Sequence, residues 1–182
     1  MIIIRSYFIL ITIVLFIGCE LEESKNNVDY NPEQKLEELG ILFSIPSSPV
    51  ANYVNTVRTG NLIYISGKGP LKSDGSYVLG KLGENLTLEQ GYEAARLTAL
   101  NLILTLKASI GDLSEVKRIV RVTGMVNATS DFTDHPKVMN GCSDLLVEVF
   151  GENGKHTRVA VGMNSLPLNI AVEIDMIVEI SN

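Results

Sequence analysis

Two stretches of helical periodicity, each ended by a glycine, alternate with runs of strand-forming residues along this chain. The first opens with a capping-box pattern at Thr87 and carries apolar residues at three- and four-residue spacing up to Gly111. The second follows Pro136 and ends at Gly151. Strand patterns precede, separate and follow the helices in the order β-β-α-β-α-β-β. This order predicts an α+β domain, a mixed sheet with two helices on one face.

Five segments have the composition of strands. They are a hairpin of residues 53–58 and 62–66, a strand over 118–126, and two strands over 158–162 and 170–180 that are separated by a Leu-Pro step. A short extra strand is predicted near residues 77–79. Apolar residues point to both faces of the sheet, at Ile63, Ile65, Val120 and Val122. We therefore expect other copies of the chain to cover the face that the helices leave open.

The first 46 residues are predicted to lie outside the main domain. Residues 1–19 resemble a lipoprotein signal peptide, because a short apolar run ends in Gly-Cys and Cys19 would become the lipidated N-terminus. Residues 20–46 are interpreted as a tether that includes a short helix, and residues 47–182 as the domain. The chain is thus expected to be exported and held at a membrane by the lipid on Cys19, or by an uncleaved anchor helix.

Composition excludes several kinds of function. The net charge is −6 and no cluster of Lys and Arg occurs, which argues against nucleic-acid binding. Two histidines, His135 and His156, lack the spacing of metal ligands, so neither a metal nor a cofactor is expected. Cys142 lies on the apolar side of the second helix, and we interpret it as a buried hydrophobic residue.

Near the C-terminus, Arg158 and Glu173 lie fifteen residues apart on the last two strands. The arginine offers a planar fork of donors that suits a carboxylate, and the glutamate offers a general base or a group that orients water. Their positions near strand ends allow both to reach one pocket that binds and hydrolyses a small organic acid. The alternative is an ordinary structural ion pair.

Three features of the chain together resemble the Rid family, the reactive intermediate deaminases. They are the order of elements, the run ANYVNTVRTGNLIYISGKGP, and the R-x14-E spacing with an intervening Leu-Pro. The family is also called YjgF and is often labelled endoribonuclease L-PSP. The resemblance covers residues 47–181. It implies a chorismate-mutase-like fold, a homotrimer with sites between subunits, and hydrolysis of enamines and imines to 2-keto acids and ammonia.

The resemblance also implies roles for individual residues. Arg158 matches the arginine that grips the substrate carboxylate, and Glu173 matches the glutamate that positions or activates water. Tyr53 matches a tyrosine that lines the cleft. Ser66 and Gly67 match the strand-end pair whose backbone approaches the ligand.

Other positions fit the family less closely. Asn140 lies one residue out of register with a family asparagine, and Ala160 stands where the family frequently has cysteine. Each of three assignments has a structural alternative. Tyr53 would be a packed hairpin aromatic, Gly67 a backbone turn, and Asn140 a cap or surface residue of a helix.

Two functions are carried forward from the sequence. The first is a hydrolase similar to 2-iminobutanoate/2-iminopropanoate deaminases. The alternative is a non-catalytic trimeric binding module for small carboxylates or a protein partner. Cleavage of RNA is disfavoured by the acidic composition and by the absence of a histidine pair.

Overall fold

The computed structural model describes residues 30–41 and 51–181, which form three helices and five strands. Strands and helices follow one another along the chain as α1 Pro32–Glu38, β1 Thr56–Thr59, β2 Leu62–Lys68, α2 Leu88–Ile110, β3 Val116–Asn127, α3 His135–Phe150, β4 Thr157–Met163 and β5 Val172–Ile180. After the short helix α1, this is the order predicted from the sequence.

Local signals in the sequence set the ends of α2. The Thr87 hydroxyl accepts a hydrogen bond from the Gln90 backbone N–H at 3.2 Å, and the Gln90 side chain accepts one from the Thr87 N–H at 2.9 Å. This reciprocal pair satisfies two N–H groups that the first turn leaves without helical partners. At the other end Gly111 adopts a φ of 87°, a value that glycine reaches without steric strain.

The five strands form one mixed sheet in the order β1-β2-β5-β3-β4. The hairpin partners β1 and β2 are antiparallel, β5 is antiparallel to both β2 and β3, and β4 is parallel to β3 at the edge. The last two strands are therefore not neighbours, because β3 lies between them.

One face of this sheet is covered by α2 and α3 and forms the core. Alternate residues of β5, from Val172 to Ile180, are buried. Their neighbours on the adjacent strands, such as Ile63 and Val122, are equally buried on the same face. Because side chains alternate along a strand, the residues between these positions point to the opposite face.

That opposite face carries apolar side chains without a covering layer among the described residues. Val57, Tyr64, Val159 and Val161 lie on it and are all classed as exposed. The prediction of an apolar second face is therefore confirmed, although Ile63, Ile65 and Val122 all lie on the helix-covered face.

Several sequence boundaries need correction. Residues 53–55 precede β1 rather than belong to it, and Gly67 does not end β2, which continues to Lys68 through an irregularity in its pairing with β5. The extra strand predicted near residues 77–79 is reduced to two isolated bridges, from Leu71 to Tyr77 and from Leu79 to Ile170.

The short helix α1, which the sequence analysis assigned to the tether, belongs to the same unit as the sheet, Asn31–Asn182. Its Leu36 is buried in the core, and Glu33 pairs with Lys107 of α2. Across residues 30–41 and 51–181, no helix has the length and apolar character needed to cross a membrane. The predicted signal peptide and Cys19 lie outside the described residues.

Candidate functional site

Arg158 lies near the start of β4, and its side chain points toward α3. Its Nη1 donates to Asn140 Oδ1 at 3.1 Å and to Ser143 Oγ at 2.8 Å, and its Nη2 points to the Pro136 carbonyl at 3.4 Å. Asn140 and Ser143 are three residues apart on α3, so both reach the same side of that helix. Asn140, transferred only weakly from the family resemblance, is thus in direct contact with Arg158.

His156 completes this group. It lies two residues before Arg158 and therefore on the same side of the extended chain. Its Nε2 lies 3.0 Å from Ser143 Oγ, and its Nδ1 lies 2.7 Å from the Gly154 carbonyl. We call Arg158, Asn140, Ser143 and His156 the arginine cluster.

The partners of Arg158 are all neutral. Within residues 30–41 and 51–181, no carboxylate forms an ion pair with its guanidinium. The positive charge of a partly buried arginine therefore has no counter-ion in the described structure. Such a group is suited to bind a negatively charged ligand.

Glu173 is the second residue of β5 and packs against Gly67. A β-carbon at Gly67 would collide with Glu173 Oε1, so a glycine at this position leaves room for the carboxylate. Burial raises the pKa of Glu173, and the negative charge of Asp175 raises it further. No hydrogen bond or ion pair to the Glu173 carboxylate is present among the residues that the structure describes.

Ser66 joins this region to the segment before β1. Its hydroxyl donates to the Val54 carbonyl at 2.7 Å, and its backbone N–H donates to Asn55 O at 3.0 Å. These bonds bring Tyr53, whose side chain is 51% exposed, to the neighbourhood of Ser66 and Gly67. We call Glu173, Gly67, Ser66 and Tyr53 the glutamate cluster.

The expectation that Arg158 and Glu173 meet in one pocket of the chain is wrong for a single protomer. Arg158 is paired with Val122, whose buried side chain faces the helices, whereas Glu173 is paired with Met125 three residues further along β3. An odd separation along a strand reverses the face. The two clusters therefore lie on opposite faces of the sheet.

Two further expectations concern Cys142 and metals. Cys142 is fully buried, and burial raises the pKa of its thiol to about 12, so the prediction that it is a packed residue rather than a nucleophile is confirmed. In the described part of the chain, no three His, Cys, Asp or Glu side chains come together as a metal site.

Ser143 and His156 were not recognised from the sequence as candidate site residues. Spacing relates each to a predicted site residue, because Ser143 follows Asn140 by about one helical turn and His156 precedes Arg158 by two strand positions. This spacing alone does not single them out. Without the fold there was no reason to bring that helix and that strand together.

The chain is thus an α+β domain whose mixed sheet carries the two clusters on opposite faces. Over residues 33–180 the chain matches the family described as "YjgF/chorismate mutase-like, putative endoribonuclease". The chain belongs to this family, and the resemblance to the Rid proteins and the predicted fold class are confirmed.

Individual relatives cover most of the chain. Protein TCP17 of Trypanosoma cruzi is 42% identical over 148 residues, which are 81% of this chain and 92% of the relative. A crystal structure of an Agrobacterium tumefaciens protein with unknown function is 41% identical, with a TM-score of 0.77, and covers 82% of this chain and 92% of its own. A "putative endoribonuclease" from Shewanella oneidensis MR-1 is 34% identical, with a TM-score of 0.79, and covers 82% and 99%.

Proposed function

We propose that this protein hydrolyses small enamine or imine acids to 2-keto acids and ammonia, at a site built from two protomers. The arginine cluster of one protomer would face the glutamate cluster of its neighbour. The observation that carries the proposal is the placement of Arg158 and Glu173 on opposite faces, each with no partner of opposite charge among the described residues. A site shared between copies gives both groups a role.

The chemistry follows from the two side chains. Arg158 binds the substrate carboxylate through charge-assisted hydrogen bonds. Glu173 takes a proton from a water molecule, whose oxygen then attacks the electrophilic imine carbon to form a carbinolamine. Glu173 returns this proton to the nitrogen and then transfers the hydroxyl proton of the carbinolamine to the same nitrogen. The C–N bond breaks, and ammonia leaves as the C=O bond forms. A carboxylate with a raised pKa suits both halves of this transfer.

The apolar outer face supports association of copies. An uncovered sheet face with several large apolar side chains favours burial against another protein surface. The resemblance to the Rid family adds the expectation that the assembly is a homotrimer.

Mixing two variants that each have low activity alone tests whether the site is shared. Arg158→Lys and Glu173→Gln chains, coexpressed in equal amounts, would form some boundaries with an intact arginine cluster on one side and an intact glutamate cluster on the other. Random assembly makes about one quarter of the boundaries intact, so about one quarter of the wild-type rate of ammonia release should return. The substrates are freshly generated 2-imino acids.

Each variant expressed alone is the control for this experiment. If the coexpressed mixture is no more active than the variants measured separately, the two residues do not act across a boundary. Wild-type chains that release no ammonia from any 2-imino acid would exclude the deaminase itself.

A binding module without catalysis is the second candidate. It is favoured by Ala160, which replaces a cysteine that is frequent two residues after the family's arginine. Glu173→Gln separates the two functions. If the protein is a binding module, wild type and Glu173→Gln should bind 2-oxobutyrate equally well, and neither should release ammonia.

Export and attachment to a membrane through Cys19 are also proposed, on the signal-peptide pattern of residues 1–19. Cells grown with a labelled fatty acid should incorporate the label into the wild-type chain and not into Cys19→Ser. Equal labelling of both chains would exclude lipidation at this residue.

A further inference from the structure

We propose that Ser143 and His156 are positioning residues that orient the guanidinium of Arg158 and reserve one of its edges for the substrate carboxylate. The inference rests on the proposed function of Arg158, and it assigns a role to two residues that do not touch the substrate themselves. It stands on a chain of hydrogen bonds in which every donor and acceptor can be assigned.

The assignment starts at the Gly154 carbonyl, which can only accept. His156 Nδ1, 2.7 Å away, must therefore carry a proton and donate it. In the neutral imidazole the other nitrogen, Nε2, is then without a proton and accepts from the Ser143 hydroxyl at 3.0 Å. The Ser143 oxygen in turn accepts from Arg158 Nη1 at 2.8 Å. The orientation of the serine hydroxyl is thus fixed by the histidine.

The environment of His156 favours the neutral form that this chain requires. The ring is partly buried between α3 and the residues before β4, and burial lowers its pKa. The positive charge of Arg158 lowers the pKa as well, while the bond to Gly154 opposes both effects. A protonated ring would offer a second N–H to Ser143, which would then no longer donate to it.

The hydrogen bonds leave one edge of the guanidinium open. Both Nη1 hydrogens are directed to Asn140 and Ser143, and Nη2 has only the long 3.4 Å approach to the Pro136 carbonyl. In the described structure nothing accepts from Nε. The edge formed by Nε and Nη2 presents two parallel donors, the arrangement that binds a carboxylate through both oxygens.

The test measures binding of 2-oxobutyrate, a 2-keto acid of the proposed product class, by calorimetry on the full-length protein. Ser143→Ala removes the hydroxyl, Ser143→Thr keeps it, and Ser109→Ala removes an exposed serine hydroxyl elsewhere. We expect Ser143→Ala to weaken binding about tenfold or more, as for loss of a hydrogen bond to a charged group. Ser143→Thr and Ser109→Ala should bind like wild type.

The kinetic form of the same expectation separates positioning from general damage. Binding through the carboxylate is present in both the ground state and the transition state, so Ser143→Ala should raise KM and leave kcat nearly unchanged. Loss of kcat with unchanged KM, or equal affinity for 2-oxobutyrate in all variants, would overturn the inference. Melting temperatures of the variants show whether each one is folded.

Nuclear magnetic resonance gives an independent readout. Nitrogen-15 shifts of His156 should report a proton on Nδ1 and none on Nε2, and Ser143→Ala should move the Nε2 resonance. A proton on Nε2 at neutral pH would contradict the assigned chain.

These measurements distinguish the inference from the proposed function. Wild-type protein that binds 2-oxobutyrate in a Ser143-dependent way but releases no ammonia keeps the positioning role and excludes the deaminase. If the wild-type protein releases ammonia but Ser143→Ala binds 2-oxobutyrate with the same affinity as wild type, only the positioning role is excluded. Wild-type protein that binds no 2-oxobutyrate contradicts the inference.

Discussion

At the scale of single residues, Arg158 and Glu173 are both partly buried, and neither forms an ion pair within residues 30–41 and 51–181. Arg96 and Lys107, in contrast, form ion pairs with Glu148 and Glu33 at partly exposed positions between helices. Partly exposed pairs of that kind contribute at most modestly to stability. An arginine held by neutral acceptors and a half-buried glutamate are arranged for a ligand instead.

The geometry of the guanidinium predicts the effect of a conservative change. Arg158→Lys retains the charge but not the planar fork, so one of two hydrogen bonds to a carboxylate is lost. We expect kcat/KM for ammonia release to fall by about tenfold to a hundredfold. Arg58→Lys, at an exposed position of β1, is the matched control and should leave kcat/KM unchanged. An Arg158→Lys enzyme with the wild-type kcat/KM would remove this residue from the mechanism.

The raised pKa of Glu173 predicts a dependence of stability on pH. The folded protein binds this proton more tightly than the unfolded chain, in which the glutamate has its ordinary pKa of 4.5. The stabilising contribution is therefore complete below that value and is lost as pH rises through the higher folded pKa. Glu173→Gln, which stays neutral, should be more stable than wild type at pH 7, and the difference should narrow toward pH 4.

Urea unfolding at both pH values measures this difference, at one protein concentration because the proposed association of copies would make stability depend on concentration. Glu84→Gln, at an exposed position, is the control. A Glu173→Gln variant that is less stable than wild type at pH 7 would contradict the prediction.

At the scale of secondary-structure elements, α2 depends on its first turn. Thr87→Ala removes the hydroxyl that accepts from the Gln90 N–H and should lower the free energy of unfolding by about 1 kcal/mol. Thr87→Ser keeps the acceptor and serves as the control. Urea denaturation of the two variants measures the difference, and equal midpoints would mean that the capping box contributes nothing to stability.

Local signals made most elements predictable. The capping box at Thr87, the glycine at Gly111 and the Pro136 start of α3 all mark helix ends through nearest neighbours in the chain, and the structure places the ends there within a few residues. Strand order was not predictable in this way. The position of β3 between β4 and β5 is a long-range pairing that no residue in the Leu-Pro connection specifies.

The faces of the sheet on which Arg158 and Glu173 lie could not be predicted, for a related reason. Counting alternation works only along one continuous strand, and between these residues the chain passes a turn in which Leu168 and Asn169 both adopt positive φ, 55° and 58°. Residues other than glycine rarely do so, and the sequence gives no sign of it. The residue types of the site were readable, whereas their placement on separate faces required the fold.

At the scale of the whole molecule, the outer face of the sheet is the surface on which the proposed association would depend. Val159 on this face and Val147 on α3 are 39% and 38% exposed, so they form a matched pair. Val159→Lys would bury a charge in the proposed boundary and should shift the protein to a lower mass in light scattering. Val147→Lys should keep the wild-type mass. If both variants keep the wild-type mass, association of copies does not depend on the outer face at Val159.

Because its two charged groups leave the sheet on opposite sides, each copy in the proposed assembly takes part in two reaction centres. A chain that carries both Arg158→Lys and Glu173→Gln therefore impairs both sites that it shares with its neighbours. Produced beside the normal chain, such a double variant acts as a dominant inhibitor, and cells that carry one defective gene copy lose more than half of the output.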